Sequence, residues 1–537
     1  MSYSNIPLVV MANSPVAGDT YSPLTCLVYL FNLIVGTGAL TMPAAFGHAG
    51  WLASTVIVVL LCIVSYITTT FVIESMSLAN ALIKYNKQKD YKTTDDDDDD
   101  GEGDTQSASS DDNTSGGDRK GSKYQEKPST SAAAMEESSS SSTGQSNLFD
   151  ITEKVELGAM ADLFFNSWGV QLFYITIVVY LLGDLAIYGA AISKSMRDVT
   201  CNYKHDNCSQ KLTLDDQCWT GVPSVSRQNA YRIYLALTLL FVGPFAFFNV
   251  QKTKYLQIAT TLLRWTAFIS MTIIALIALS SGKANARPST FTFSGIPNLF
   301  GVCVYSFMCH HSLPSLVTPV TDKRRIFRYI LCDYTLILGF YCLLSFTGIF
   351  AFNHLQDIYT LNFEVPQCSS GSEEVIKPVP VLDYFLPLFP VFTLSSSFPI
   401  IAITMQNNLR TLYTGCFPQN RLNQSFIGRR LLFPLIAIVP PMIIAFATED
   451  LQILVGIVGS YAGAGIQYVF PALLVYFGRR RLLGGGGDGD AAAGFGTGGM
   501  TRIVSPFGHK LWVVLVLIWS VICIILVTVD HVIQLSK

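Results

Sequence analysis

The stretch Asn32-Leu33-Ile34-Val35-Gly36-Thr37-Gly38-Ala39-Leu40-Thr41-Met42-Pro43 decides how this chain is read. It lies within an apolar run over 24–47, long enough to cross a ~30 Å hydrocarbon core as a helix of about 20 residues. Two glycines and a threonine in its middle weaken that helix and release backbone carbonyls and amides. Such unwinding is tolerated at membrane depth only where it faces protein or a wet cavity. Glycine at these positions has a second reading, close packing against a neighbouring helix.

A second stretch repeats the pattern. Tyr305-Ser306-Phe307-Met308-Cys309-His310-His311-Ser312-Leu313-Pro314 runs on to Pro319, and Tyr29 to Pro43 and Tyr305 to Pro319 are both fourteen residues apart. Overlaying the tyrosines puts Gly36-Thr37-Gly38 on Ser312-Leu313-Pro314. Interrupted helices at matching positions of oppositely oriented halves point to a transport site at mid-membrane. Half-helix N-termini receive a carboxylate there, and free carbonyls receive an ammonium group or a cation. The candidate substrate-binding residues are therefore Gly36, Thr37, Gly38, Ser312, Leu313 and Pro314.

Working outward, the 537 residues are 50% apolar and only 14% charged. Soluble proteins carry roughly a quarter charged residues. Eleven apolar runs qualify as spans: 24–47, 51–76, 168–196, 231–249, 255–281, 295–318, 328–352, 383–405, 429–447, 451–477 and 511–534. The reading is an all-α polytopic membrane protein with a five-plus-five inverted repeat, spans 1–5 against 6–10, and span 11 appended. Its parts are a cytoplasmic segment over 1–23, spans one and two over 24–83 and a disordered acidic cytoplasmic loop over 84–150. Spans three to ten follow over 151–477, then a Gly-rich cytoplasmic loop over 478–510 and span eleven with the C-terminus over 511–537.

Loop charges orient the chain. With the N-terminus cytoplasmic, the short inside loops hold 12 Lys and Arg in 70 positions and the outside loops 7 in 80, which is the expected inside excess. Residues 90–150 carry 16 acidic and 5 basic side chains, including the unbroken run Asp95 to Asp100. Their few large apolar residues, Tyr91, Tyr124, Met135, Leu148 and Phe149, cannot build a core. Of twelve cysteines, Cys201, Cys208, Cys218 and Cys368 fall in outside loops and permit two disulfides in three connectivities. The sequon at Asn207 shares that side and is available for glycosylation. Sequons at Asn113 and Asn423 fall inside and should stay bare.

Several side chains in the spans carry possible chemistry. Thr393, Ser395, Ser396 and Ser397 concentrate hydroxyls in span eight, which suit a hard cation such as Na⁺ or simply pack helices. Asp184, Arg264 and Asp333 are ionisable groups in apolar runs, where function is the default reading and an ion pair or snorkelling the alternative. His310 and His311, about 100° apart on a helix, place at most one ring on a pathway. Asp184, His310, His311 and Asp333 are the proton-coupling candidates.

These residues resemble a family. Asn32-Leu-Ile-Val-Gly36-Thr37-Gly38-Ala-Leu is similar to the first-span N-x-I-x-G-[ST]-G-I-L of the amino acid/auxin permeases, the sodium-coupled neutral amino acid transporters above all. Phe307-Met-Cys309-His310-His311-Ser-Leu-Pro314 resembles their sixth-span F-x-C-H-x-x-x-L-P, one residue shorter before Leu-Pro. Thr393-Leu-Ser395 with Phe398-Pro399-Ile400 looks like their eighth span, without the arginine that usually follows. Gly456-Ile-Val-Gly459-Ser-Tyr-Ala-Gly463 with Pro471 resembles their tenth. The resemblance implies eleven spans, a fold like that of bacterial amino acid symporters, and a sodium site to which Asn32, Thr393, Ser395 and Ser396 contribute.

The expected function is secondary active transport of an amino acid or similar small zwitterion, coupled to Na⁺ or H⁺, by alternating access. The alternative is a non-transporting sensor or scaffold that retains the amino-acid site. No nucleophile–base–orienter set is recognisable, so the chain does not read as an enzyme, and nothing points to nucleic acid or to a resident cofactor. The expected partners are the small-molecule substrate and the lipid bilayer, in the plasma membrane or an endolysosomal membrane.

Overall fold

The computed structural model describes residues 20–99, 147–203, 213–247, 254–281, 286–363, 380–417, 431–483 and 503–535. They are overwhelmingly helical, as the apolar runs require, because a backbone in lipid must satisfy its polar groups internally. Among the described residues eight helices are long and apolar enough to cross a bilayer, and a pair bent by 56° makes a ninth when taken as one span.

That pair is the quoted stretch. Helix α1 (Pro23–Ile34) starts on Ser22, whose hydroxyl accepts from the Thr25 N–H, and α2 (Thr37–Ala49) resumes two residues after α1 stops. Gly50 turns the chain at a φ of +88°, a conformation that suits a residue without a Cβ. The long α3 (Trp51–Asp99) then runs the other way. A short α4 (Leu157–Phe164) precedes α5 (Ser167–Thr200), and the hairpin of β1 (Gln217–Trp219) and β2 (Val222–Ser226) leads into α6 (Arg227–Phe241). Next come α7 (Lys254–Ser280), α8 (Ile296–Ser306), α9 (Leu313–Val317) and α10 (Ile326–Ala351). They are followed by α11 (Pro380–Cys416), which carries three internal prolines, and α12 (Phe433–Ala447). The last elements are α13 (Leu451–Val458), two π-helical turns over Gly459–Gly463 and Gly465–Val469, α14 (Phe470–Leu483) and α15 (Lys510–Leu535). The sixth and ninth expected spans correspond to α8 with α9 and to α12.

Helices cross where side chains vanish. A Cβ built on Gly301 of α8 would lie 2.1 Å from Gly456 O, and one on Gly459 would lie 2.0 Å from Gly301 O. These glycines bring the sixth and tenth spans backbone to backbone, as small residues do in membrane interfaces.

The acidic segment is more ordered at its ends than its composition suggests. Helix α3 continues through Asp99, well into the expected loop over 84–150. At the other end Phe149, Ile151 and Val155 are buried. Asn80 Oδ1 accepts from the Thr152 and Glu153 N–H groups, the Ser77 hydroxyl donates to Phe149 O, and Lys87 pairs with Glu153 at 2.6 Å. Polar side chains on α3 thus bind the returning backbone directly, which a count of large apolar residues does not register. Of the four outward cysteines, Cys201 and Cys218 form a disulfide. Cys208, Cys368 and the sequon asparagine Asn207 lie outside the described residues.

Candidate functional site: two adjoining helix breaks

The first break falls at Val35-Gly36. On its α2 side no side chain caps the helix, since Gly36 precedes α2 without a side-chain hydrogen bond. Helix α8 stops at Ser306 and α9 begins at Leu313. Thr37 and Leu313, where the helices resume, stand in the same overlay as Tyr29 and Tyr305. The sixth break is longer and sits earlier than Ser312-Leu313-Pro314. Pro314 occupies the first turn of α9, where its fixed φ and missing N–H start a helix rather than end one. The histidines therefore lie on irregular backbone, not on the helix expected for them.

The structure brings the two breaks together. A Cβ on Gly38 would meet Ser306 Oγ at 2.3 Å and Ser306 Cα at 2.6 Å. Tyr341 of α10 closes the same junction, its hydroxyl lying 2.8 Å from Ser306 O and 3.1 Å from Ile34 O. One donor thus serves the carbonyl ends of both α1 and α8. Gly36 differs from Gly38, because a Cβ there would have only Leu33 O within reach, at 4.0 Å. Close packing accounts for Gly38; ligand approach remains open at Gly36.

Polar groups without partners gather at these breaks. Asn32 Oδ1, Thr37 Oγ1, His310 Nδ1 and His311 Nδ1 are buried with no hydrogen bond of good geometry, Tyr188 standing beside Thr37. Among the described residues, the N–H groups of Cys309, His310 and His311 donate to no backbone carbonyl. Buried polar groups are normally satisfied, and each exception calls for an explanation. Ser312 and Leu313 instead donate their N–H groups to Cys309 O at 3.0 Å.

The ionisable candidates separate. Asp184 of α5 accepts a hydrogen bond from the Tyr305 hydroxyl, and Tyr180 bridges in space between Tyr305 and His311, with ring centroids 6.4 and 5.7 Å away. His310 Nε2 is held by Thr68 Oγ1 at 2.9 Å and Thr69 Oγ1 at 3.4 Å. Asp333 is buried, with Oδ2 unpartnered. Arg264 of α7 donates to Asn32 O.

The sodium-site candidates lie on helices with different main neighbours. Helix α1 packs on α10 and α9, whereas α11 packs chiefly on α5, α7 and α12. The Thr393 hydroxyl donates to Phe389 O at 3.0 Å, and those of Ser396 and Ser397 to Thr393 O at 2.8 and 3.2 Å. Serine and threonine in helices readily turn back onto the preceding carbonyl in this way.

Sequence reasoning passed over the polar seam of α3. Thr69 Oγ1 lies 2.7 Å from the Tyr334 hydroxyl, Thr70 Oγ1 lies 2.7 Å from Ser505 Oγ, and Gln467 Nε2 donates to Ser65 Oγ at 2.5 Å. Glu74, fully buried, takes Arg479 through both carboxylate oxygens at 2.6 and 3.0 Å and accepts the Ser505 N–H. The signal was Thr68-Thr69-Thr70 and Glu74 inside an apolar run. At the other end of the bundle Asp198 pairs with Arg197 and Arg227 at 2.7 Å, Arg197 with Glu449 at 2.5 Å, and Lys194 with Asp357 at 2.6 Å.

Broken spans that adjoin at mid-bundle, within a helical polytopic chain, agree with the family model described as transmembrane amino acid transporter protein. That model matches residues 19–95 and 151–481, and the chain belongs to this family. The unmatched stretch between falls in the acidic segment. Among the relatives, transmembrane protein 104 of Gallus gallus is 47% identical, covering 97% of this chain and 98% of the relative. Transmembrane protein 104 of Homo sapiens is 46% identical over the same shares. The transmembrane protein 104 homolog of Drosophila melanogaster is 44% identical, covering 97% and 99%.

Proposed function

We propose that this protein is a secondary active transporter of an amino acid or a similar small zwitterion, working by alternating access between two inverted five-span halves. The reading rests on one observation above the others: the first and sixth spans break side by side, at Gly38 and Ser306. A zwitterion needs donors for its carboxylate and acceptors for its ammonium. The N–H groups of Cys309–His311 and the first turn of α2 offer the former. Asn32 Oδ1 offers the latter, with Gly36 leaving room for ligand atoms to meet the backbone.

Asp184, which accepts from Tyr305 in the last turn of α8, and His311 within the sixth break are the proton-handling candidates at this site. His310 and Asp333 are the further candidates. The loop charges support a cytoplasmic N-terminus and a cytoplasmic 90–150 segment, in the plasma membrane or an endolysosomal membrane. The test is uptake of radiolabelled amino acids into proteoliposomes under imposed Na⁺ and pH gradients. Concentrative uptake of at least one amino acid is the expected result. Saturable binding without uptake favours the sensor reading, and neither binding nor uptake across the set overturns both.

A further inference from the structure

The carboxylates set into the bundle divide into two groups. Glu74 faces Arg479, Asp198 faces Arg197 and Arg227, Glu449 faces Arg197, and Asp357 faces Lys194. Asp184 and Asp333 are also buried, yet among the described residues they pair with no cation. Of the two, Asp184 is bonded to the sixth span, where it accepts from the Tyr305 hydroxyl in the last turn of α8. Arg264 is turned to Asn32 O instead. A lone carboxylate midway along a spanning helix is costly and calls for a partner or a purpose.

Its surroundings say which purpose. Tyr180, Asp184 and Tyr188 follow one another at intervals of four residues and so share one face of α5. That face runs past both breaks. Tyr180 lies against His311 of the sixth break, with ring centroids 5.7 Å apart, and against Tyr305 at 6.4 Å. Tyr188 stands beside Thr37, where α2 begins. Asp184 lies between them, one helical turn or roughly 6 Å from Tyr188. Close packing holds α5 in this register, because a Cβ on Gly183 would lie 2.2 Å from Val458 Cγ2.

A tyrosine hydroxyl has one proton to give, and Tyr305 gives it to Asp184. What the pair offers a ligand is therefore lone pairs and a negative charge. A second carboxylate is repelled there, an apolar side chain leaves the charge unanswered, and a neutral donor satisfies only the hydrogen bond. An ammonium or guanidinium group satisfies both, and the neighbouring tyrosine rings are surfaces that such cations favour.

We propose that Asp184 is the specificity-determining residue of the site, and that the substrates are amino acids with a cationic side chain, of the lysine or arginine kind. The backbone end of the substrate lies at the first break, with its carboxylate on the first turn of α2 and its ammonium at Asn32 Oδ1. The side chain runs along the α5 face past Tyr188 to Asp184, a distance that the stem of a lysine or arginine covers.

The inference rests on the transporter reading and narrows it. Binding of arginine, citrulline, lysine and norleucine is measured by calorimetry on purified full-length protein, as wild type and as Asp184→Asn. Citrulline and norleucine match the length of their cationic counterparts without the charge. In wild type, arginine should bind about tenfold or more tightly than citrulline, or lysine than norleucine. In Asp184→Asn that advantage should vanish, while the neutral ligands keep their affinity within about twofold. Equal binding within both pairs in wild type, or an uptake screen in which only neutral or acidic amino acids are carried, overturns the inference and leaves the transporter reading standing. A folded Asp184→Asn protein that keeps the full preference also overturns it. If Asp184→Asn fails to fold, the wild-type ratios decide alone. Absence of binding and of uptake for every amino acid removes the transporter reading and this inference with it.

Discussion

In the first span the helix stops at Ile34 and resumes at Thr37, while in the sixth it stops at Ser306 and resumes only at Leu313. The short break is open on one side and fixed by a charge. Gly36 faces space, and the carbonyl of Asn32 carries the Arg264 guanidinium. The long break is enclosed by neutral groups. Cys309 and His310 are fully buried, and His310 is held by threonines of α3. One half thus presents room and an unpartnered amide oxygen, the other free amide donors and a buried imidazole ring, and under the proposed function a ligand with two unlike ends would meet unlike breaks. Identical breaks would offer the same groups twice.

The contrast between the two glycines of the first break gives the largest expected effect. In Gly38→Val the new Cβ would fall on Ser306 backbone, so the variant should lose about 3 kcal/mol or more and most of its monodisperse protein. Gly36→Ala should fold like wild type and lose about tenfold or more in affinity for whichever amino acid the uptake screen identifies. Size-exclusion profiles and binding on the same preparations check both, and a well-folded Gly38→Val would undo the assignment of packing to that residue.

Tyr341→Phe comes next, because it removes the one hydroxyl shared by the carbonyl ends of α1 and α8. Ser306 O would lose its donor while Ile34 O keeps the Gly36 N–H at 2.8 Å, which should cost about 1 kcal/mol, read as a drop in melting temperature. An unchanged melting curve would mean that water or another group serves them and that the two breaks are not tied through α10.

A similar loss is expected from Thr68→Val in the enclosed break. His310 keeps the longer contact to Thr69, so the cost should be about 1 kcal/mol. Thr69→Val should fall in the same range, as the Tyr334 hydroxyl loses its partner at 2.7 Å. Equal loss in the double variant and in either single one would show that the two threonines act as a unit.

The smallest effect on stability belongs to Thr37→Val. Its hydroxyl is buried without a well-formed hydrogen bond, and valine keeps the shape, so melting should move by less than about 0.5 kcal/mol. Ligand affinity should still drop about tenfold if that hydroxyl meets the substrate. A large loss of stability with unchanged affinity would make Thr37 a structural partner of Tyr188.

Much of this was legible in the residue order. Long apolar runs dictate membrane helices because lipid offers the backbone no hydrogen bonds, and Gly36-Thr37-Gly38 marked the first break to within a residue. Pro314 marked the wrong edge of the second, since a proline begins a helix as readily as it ends one. Composition alone also misjudged 147–155, where Asn80 and Ser77 bind returning backbone.

What only the tertiary structure decided is which of these groups meet. Sequence spacing orders residues along one helix and says nothing of the register between helices some 270 residues apart. Gly38 was a ligand or a packing residue until Ser306 was found against it, and Arg264 was one more isolated charge until α7 laid it on the end of α1. The apolar pattern marked which segments can enter a bilayer, because transfer into lipid depends on composition. The site depends on contact, and contact between distant segments exists only in the folded bundle.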